Sequence, residues 1–299
     1  MSSQAETPYV EVFLSTKAND EKDPNPDLLA QYYLRNNRFL DAAQTLFHVA
    51  SMPCARYNLA RRIEYLAKAK LAARSIVPTS GTTDTSDLSR DIDEYMEVAA
   101  IQQQILTLLE RRPATDETLS ATRALNETIL SVTDLYANYA RKFQLHETAL
   151  AIFHCSHFND IAKIEDVWTK ILNEEAAKSF SSVVATVLRI GRQYHPSNSA
   201  FPAENLVHKL ERFTWQKYRD TVDGGWVAQT MLDVGVLPET LYLTYQRMFQ
   251  TRAYDTWVRD ETLRKRALVQ MLRSIATILE KWWATVATLP AQSMRRCAS

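Results

Sequence analysis

Glycine is the residue that most constrains this chain. There are 5 among 299 residues, where ordinary usage would give about 20. Tight hairpin turns and phosphate-cradling loops depend on glycine's access to positive φ. A chain so poor in it is not assembled from β-hairpins or from nucleotide-binding strand–turn–helix units. Ala, Leu, Gln, Glu, Arg and Lys crowd the long segments, and these residues lose least on entering a helix. The fold class that follows is all-α.

Helices are expected near 27–36, 39–51, 58–75, 88–112, 117–141, 144–156, 160–178, 180–194, 203–217, 225–234, 239–251 and 260–288. Pro53, Pro113, Pro196, Pro202 and Pro238 punctuate them, because proline lacks an amide hydrogen and clashes with the preceding turn. Thr115-Asp116 and Ser86-Asp87 offer side-chain oxygens as N-caps. Residues 1–26 read as an extended lead-in: a short apolar stretch, Tyr9 to Leu14, then a polar segment ending Asp23-Pro24-Asn25-Pro26. Residues 27–290 form the helical body and 291–299 a flexible tail. Val77 to Asp87 is a flexible connector whose Ser and Thr residues are open to phosphorylation, against the plainer reading of a solvated loop.

The helices are apolar on more than one side. In 88–112, Ile92, Tyr95, Met96, Ala99 and Leu106 form one stripe, and Val98, Ile101, Ile105 and Leu108 a second. In 117–141 a single stripe runs through Leu125, Ile129, Val132, Leu135, Tyr136 and Tyr139. A helix apolar on two sides needs neighbours on two sides, as in a stack of helix pairs. An internal echo points the same way: Tyr33, Phe39, Asp41, Ala43, Leu46, Phe47 and His48 recur in type and spacing as Tyr139, Leu145, Glu147, Ala149, Ile152, Phe153 and His154. Repeated helical hairpins mark solenoids, and the expected architecture is an irregular α-solenoid of stacked helical hairpins.

Lys and Arg number 35 against 35 Asp and Glu. That balance argues against direct nucleic-acid binding, which draws its affinity from a basic surplus that displaces counterions. Cys54, Cys155 and Cys297 are odd in number and far apart, so no disulfide framework is implied and a reducing compartment is expected. No apolar run approaches the roughly 18 residues of a membrane span.

Candidate chemistry is thin. His146, His154, Cys155 and His157 form the most metal-like cluster, yet a structural zinc site wants four ligands in paired close spacings, and neighbouring helical residues point apart. No Gly-x-Ser-x-Gly elbow, Walker loop or Gly-x-Gly-x-x-Gly is present. The adjacent Gly224-Gly225 read as a turn. Carboxylates such as Asp91, Asp93, Glu94, Glu174 and Glu175 read as solvated charge. No catalytic, cofactor-binding or metal residue is therefore assigned, no small-molecule substrate is expected, and the chain reads as a non-enzyme. Arg264-Lys265-Arg266, with Arg259 and Arg273, could touch anionic lipid or nucleic acid, or form the wet face of the last helix. Of Trp282 and Trp283, the first is expected to lie deeper, continuing the line of Leu268, Ile275 and Leu279.

Specific strings carry more than composition. Thr7-Pro8-Tyr9-Val10-Glu11, Tyr32-Tyr33-Leu34-Arg35-Asn36 with Ala42-Ala43, Arg62-Ile63-Glu64-Tyr65-Leu66-Ala67-Lys68-Ala69, Met96-Glu97-Val98-Ala99 with Ile101-Gln102, Leu150 to Cys155, and Val227 to Met231 before Val234-Gly235-Val236 occur in one order. In that order they resemble the C-terminal helical region of the large non-repetitive inner-ring nucleoporins. The resemblance covers about residues 7–285. It implies a fragment or isolated domain of a larger protein that carries a β-propeller and further helices ahead of this region. It also implies a structural role in the inner ring of the nuclear pore complex at the nuclear envelope, binding other nucleoporins, including short linker-nucleoporin segments, and supporting nucleocytoplasmic transport. It assigns no partner-binding residue. The alternative is a solenoid subunit of a vesicle coat or tethering complex, which shares the helical-pair logic.

Overall fold

The structure, a computed structural model, describes residues 8–18, 25–53, 56–76, 83–258 and 260–288. Among these it is all-α, built of stacked helical hairpins of the solenoid class, with no strand. The chain divides into two compact units, 1–156 and 157–299. The expected tail at 291–299 lies outside the described residues.

The first unit holds α1 (Pro8–Ala18), α2 (Pro26–Arg35), α3 (Phe39–Ser51), α4 (Leu59–Arg74), α5 (Thr83–Glu110), α6 (Asp116–Glu127), the single turn α7 (Val132–Asp134) running into a π-helical turn (Leu135–Ala140), and α8 (His146–Cys155). From α1 to α5 each helix packs on its successor, and α5 then packs on both α6 and α8. That is the two-sided environment its two stripes called for: Ile92, Ala99, Ile101, Ile105 and Leu106 are buried, with Tyr95 and Leu108 at the exposed margins. The second unit holds α9 (Ile161–Lys178), α10 (Phe180–Tyr194), α11 (Ala203–Tyr218), α12 (Trp226–Val234), α13 (Pro238–Gln250), a 3-10 turn (Ala253–Thr256) and α14 (Glu261–Thr288). Its largest buried anchor is Trp168, whose Nε1 donates to the Ala200 carbonyl at 2.8 Å while its ring meets Phe201 edge-on.

Helix starts follow local chemistry. Asn58, Asp160 and Ser179 each accept a hydrogen bond from the backbone amide three residues on, satisfying a donor the first turn would otherwise leave open. Thr115 does so within a reciprocal capping box with Thr118, as its sequence context foretold. Ser86-Asp87 do not cap: α5 starts earlier, at Thr83, so 83–87 is helix and only 77–82 of the expected connector falls outside the described residues.

Two further expectations change. The first is the lead-in, because Pro8–Ala18 is helical rather than extended. The alternation of Val10 and Val12 hid this, and long-range contacts supply the order. Glu11 accepts from the Tyr33 hydroxyl at 2.9 Å and from Arg38 Nη1 at 2.8 Å, and Leu14 and Ala18 join the cluster around Leu29, Tyr33 and Ala42. The second is the helix over 117–141, which is broken at 128–131. Buried Gln102 donates to the carbonyls of Leu125 at 2.6 Å and Thr128 at 2.7 Å and accepts from the Leu130 amide at 2.8 Å. Arg62, fully buried, donates to the carbonyls of Glu127, Met52 and Ala50 at 2.6, 2.6 and 2.9 Å. One guanidinium thus closes the C-terminal ends of α3 and α6 together. Each such carbonyl left bare would cost about 1–3 kcal/mol.

The internal echo has a backbone counterpart, shifted by one residue. After α2, Asn37 is left-handed and the Arg38 amide reaches back to the Tyr33 carbonyl; before α8, Gln144 is left-handed and the Leu145 amide reaches back to Ala140. The side-chain echo pairs Phe39 with Leu145, whereas the turn pairs Arg38 with Leu145. What recurs is a way of ending a helix, in place of a residue-by-residue repeat. The same closure ends α12 at Gly235, where Val236 reaches back to Met231.

Candidate partner-binding groove

In the first unit α2 and α4 flank α3 and leave a groove of 310 Å³ between them. Buried Ala30, Leu46 and Ala72 form its floor. Its walls are Leu34 and Leu71, 39% and 65% exposed. The floor and these two walls are apolar, and Asp27, Gln31, Lys68 and Ser75 complete the lining.

One end of the slot is held stiff by charge. Asp27, at the start of α2, accepts from Arg61 Nη2 at 2.8 Å, Lys68 Nζ at 3.0 Å and the Tyr65 hydroxyl at 3.3 Å. Glu64 takes Arg61 and Lys68 from the other side, and those two cations, Lys68 first, hold its carboxyl below the usual range. Arg61 also lies over the Tyr65 ring at 4.8 Å. The network locks the N-terminal end of α2 to α4 and fixes the width of the groove there.

His146 and Cys155 are half-buried, whereas His154 and His157 are exposed. Among the described residues no three His, Cys, Asp or Glu side chains converge to hold a metal ion. Burial first, and then Glu97, pushes the Cys155 thiol up in pKa, the opposite of an activated nucleophile. Asp93 pairs with Lys70 at 2.5 Å. Asp91 and Glu94 lie near Arg90 at 3.7 Å each. Glu175 departs from the solvated reading: its side chain is 12% exposed, pairs with Lys178 on α9 itself, and accepts from the Ser182 hydroxyl, which joins the end of α9 to the start of α10.

The basic cluster is largely spoken for. Arg264 pairs with Asp255 at 3.4 Å, Arg266 with Asp220 at 3.4 Å and Arg273 with Asp223 at 2.6 Å, beside a polar cavity of 510 Å³ that Lys265 also lines. Arg259 lies outside the described residues. No described helix is long and apolar enough to cross a membrane. Trp282 is half-buried against Tyr242, and Trp283 is 75% exposed, which is the expected order. Leu279, expected in line with Leu268 and Ile275, is exposed, as is Leu272; the packed side of α14 is made by Ala267, Met271, Ser274 and Ile278.

Sequence reasoning passed over the buried polar residues Arg62, Gln102 and Glu211. A signal was present for each, since each occupies a position where its helix's apolar stripe would place an aliphatic residue. In α11, Glu211 follows Leu210 between Val207 and Thr214, all buried. It accepts from Tyr245 at 2.5 Å, Gln270 at 2.6 Å and Ser274 at 2.7 Å, tying α11 to α13 and α14. Burial pushes its carboxyl up in pKa against the three donors, which pull it down.

The fold has solved counterparts. The C-terminal domain of Nup170 from Chaetomium thermophilum superposes with a TM-score of 0.79 at 23% identity, covering 97% of this chain and 58% of that one. The same domain in complex with Nup145N superposes with a TM-score of 0.75 at 22% identity, covering 95% of this chain and 58% of that one. In sequence, the chain is 26% identical over 291 residues to a probable nucleoporin of Schizosaccharomyces pombe, covering 93% of this chain and 21% of that protein. It is 30% identical over 196 residues to nuclear pore complex protein Nup154 of Drosophila melanogaster, covering 62% of this chain and 14% of that protein. The chain therefore spans about a fifth or less of the length of these two relatives. Residues 2–298 match the family described as the non-repetitive/WGA-negative nucleoporin C-terminal. The all-helical stack and that match over residues 2–298 lead to one statement: this chain belongs to the C-terminal family of the non-repetitive nucleoporins.

Proposed function

We propose that this chain is a scaffold element of the inner ring of the nuclear pore complex, and that it binds other nucleoporins by taking a short apolar linker segment into the α2–α4 groove. The observation that carries the reading is the slot itself, an apolar floor between two exposed leucine walls in a protein otherwise balanced in charge. Family membership supports the setting, and a fold relative that forms a complex with Nup145N supports the kind of partner. Stacked helices offer such slots to helical or extended segments through apolar anchors.

The chemistry sets the binding regime. Net charge is zero, so long-range steering is weak and affinity should fall only modestly with salt, unlike phosphate-driven binding. A segment disordered when free pays for its ordering on binding, which holds a single motif to roughly micromolar affinity, made effective by many tethered copies. Titrating peptides from linker nucleoporins into the chain at low and high salt tests this, with Leu34→Asp and Leu71→Asp as probes; both residues are exposed, so both variants should keep the wild-type melting temperature. Salt-tolerant binding lost in either variant is the expected result. Undiminished binding by both, or retention of nucleic acid in place of peptide, would overturn the assignment.

A further inference from the structure

Helix α14 carries a second apolar stripe that the described residues of its own unit leave about half-exposed. Ala267, Met271, Ser274 and Ile278 are fully buried on the side that packs against α12 and α13. On another side Val269, Leu272, Leu279 and Trp283 are 48%, 50%, 47% and 75% exposed, and exposed Ala276 completes the line. The spacing from 269 through 272, 276 and 279 to 283 alternates three and four residues without a break. That spacing matches the a and d positions of a coiled-coil seam over two heptads, and a helix is the occupant it fits.

The flanks say which helix, and in which direction. With Val269, Ala276 and Trp283 at the a positions and Leu272 and Leu279 at d, the e positions are Arg273 and Glu280, and the g positions are Leu268, Ile275 and Trp282. A parallel pair sets e against g of the partner, pressing both charges onto apolar side chains. An antiparallel pair sets e against e and g against g. Arg273 of one copy then meets Glu280 of the other, twice, while Ile275 and Trp282 face their own kind. Arg273 is already steadied by Asp223 at 2.6 Å, and Ala276, the smallest residue of the seam, sits at its middle, where two antiparallel helices come closest. We infer that α14 is a self-association helix, pairing antiparallel with α14 of a second copy of this chain about a two-fold axis near Ala276. The contact is isologous and closes on itself, so it yields a dimer and no filament.

Analytical ultracentrifugation of the full chain across the micromolar range should show a reversible monomer–dimer equilibrium. Leu272→Asp and Leu279→Asp should each weaken it about tenfold or more, since the exposed half of each side chain is covered in the dimer, with little change in the melting temperature of the monomer. Orientation is read by cross-linking in a background with Cys54, Cys155 and Cys297 changed to Ser. Ala276→Cys should form an intermolecular disulfide on mild oxidation, and Trp283→Cys, far from the axis, should not. A chain that stays monomeric throughout, a dimer indifferent to both Leu substitutions, or cross-linking at position 283 as readily as at 276 would each overturn the proposal.

Discussion

The two units solve one problem, how to bury polar groups at helix junctions, with opposite chemistry. In the first, Arg62 spends a permanent positive charge on backbone carbonyls of two helix ends, aided by the neutral amide of Gln102. In the second, Glu211 gathers three side-chain donors from α13 and α14. A guanidinium does not titrate in the accessible range, but a buried carboxyl does. The contrast teaches that the first junction is a fixed rivet, whereas the second takes its strength from its protonation state.

The strongest way to break that contrast is Arg62→Met. It keeps the bulk of the stem but leaves several buried carbonyls bare, and it should cost about 3–5 kcal/mol in denaturant unfolding. Arg62→Lys should recover little, because one ammonium cannot span carbonyls at 50, 52 and 127 as the planar fork does. A loss under about 1 kcal/mol for Arg62→Met would mean that the break after α6 is held by something else.

At the second junction, Glu211→Ala should cost about 2–4 kcal/mol by stranding donors of Tyr245, Gln270 and Ser274. Its pH signature is sharper than its size. The folded carboxyl sits above its ordinary value of 4.5, so the folded state holds a proton that the unfolded state releases. The resulting stabilisation is full below that ordinary value and is lost as pH rises through the higher folded value. Glu211→Gln should erase this pH dependence, visible as the wild-type-minus-variant difference in melting temperature falling as pH rises. A difference that rises with pH would reverse the sign of the argument, and Arg62 variants should show no such slope.

The smallest effect concerns how each unit ends a helix. The first places Asn37 and Gln144 in left-handed turns; the second places Gly235 there after α12 and Arg252 after α13. Gln144→Gly should stabilise by about 0.5–1 kcal/mol, since the relief of left-handed strain exceeds glycine's entropic cost. Gly235→Ala should destabilise by about 1 kcal/mol through backbone strain alone, because an added Cβ there meets nothing within 4 Å. Equal and opposite thermal shifts would support one shared turn; a destabilising Gln144→Gly would show that its side chain, and not its backbone, holds the turn.

Much of the helical layout was legible because periodicity and proline positions are local properties. The ends of α3, α9, α10 and α12 fell within a residue or two of expectation. What was missed is non-local. The break at 128–131 is made by Arg62 and Gln102, far away in sequence, and α1 is ordered by Tyr33 and Arg38 on other elements. The groove was legible only as a class, since stacked pairs leave slots, and no string marks Ala30 as floor or Leu71 as wall. Leu272 and Leu279 look like core in sequence because a helix with two apolar faces gives no local sign of which one is covered.

The most direct test of the central claim is hydrogen–deuterium exchange of the chain with and without a saturating linker-nucleoporin peptide. New protection is expected at residues 26–35 and 59–74, the two helices that wall the groove. Protection confined to 157–299, or none at saturation, would contradict it.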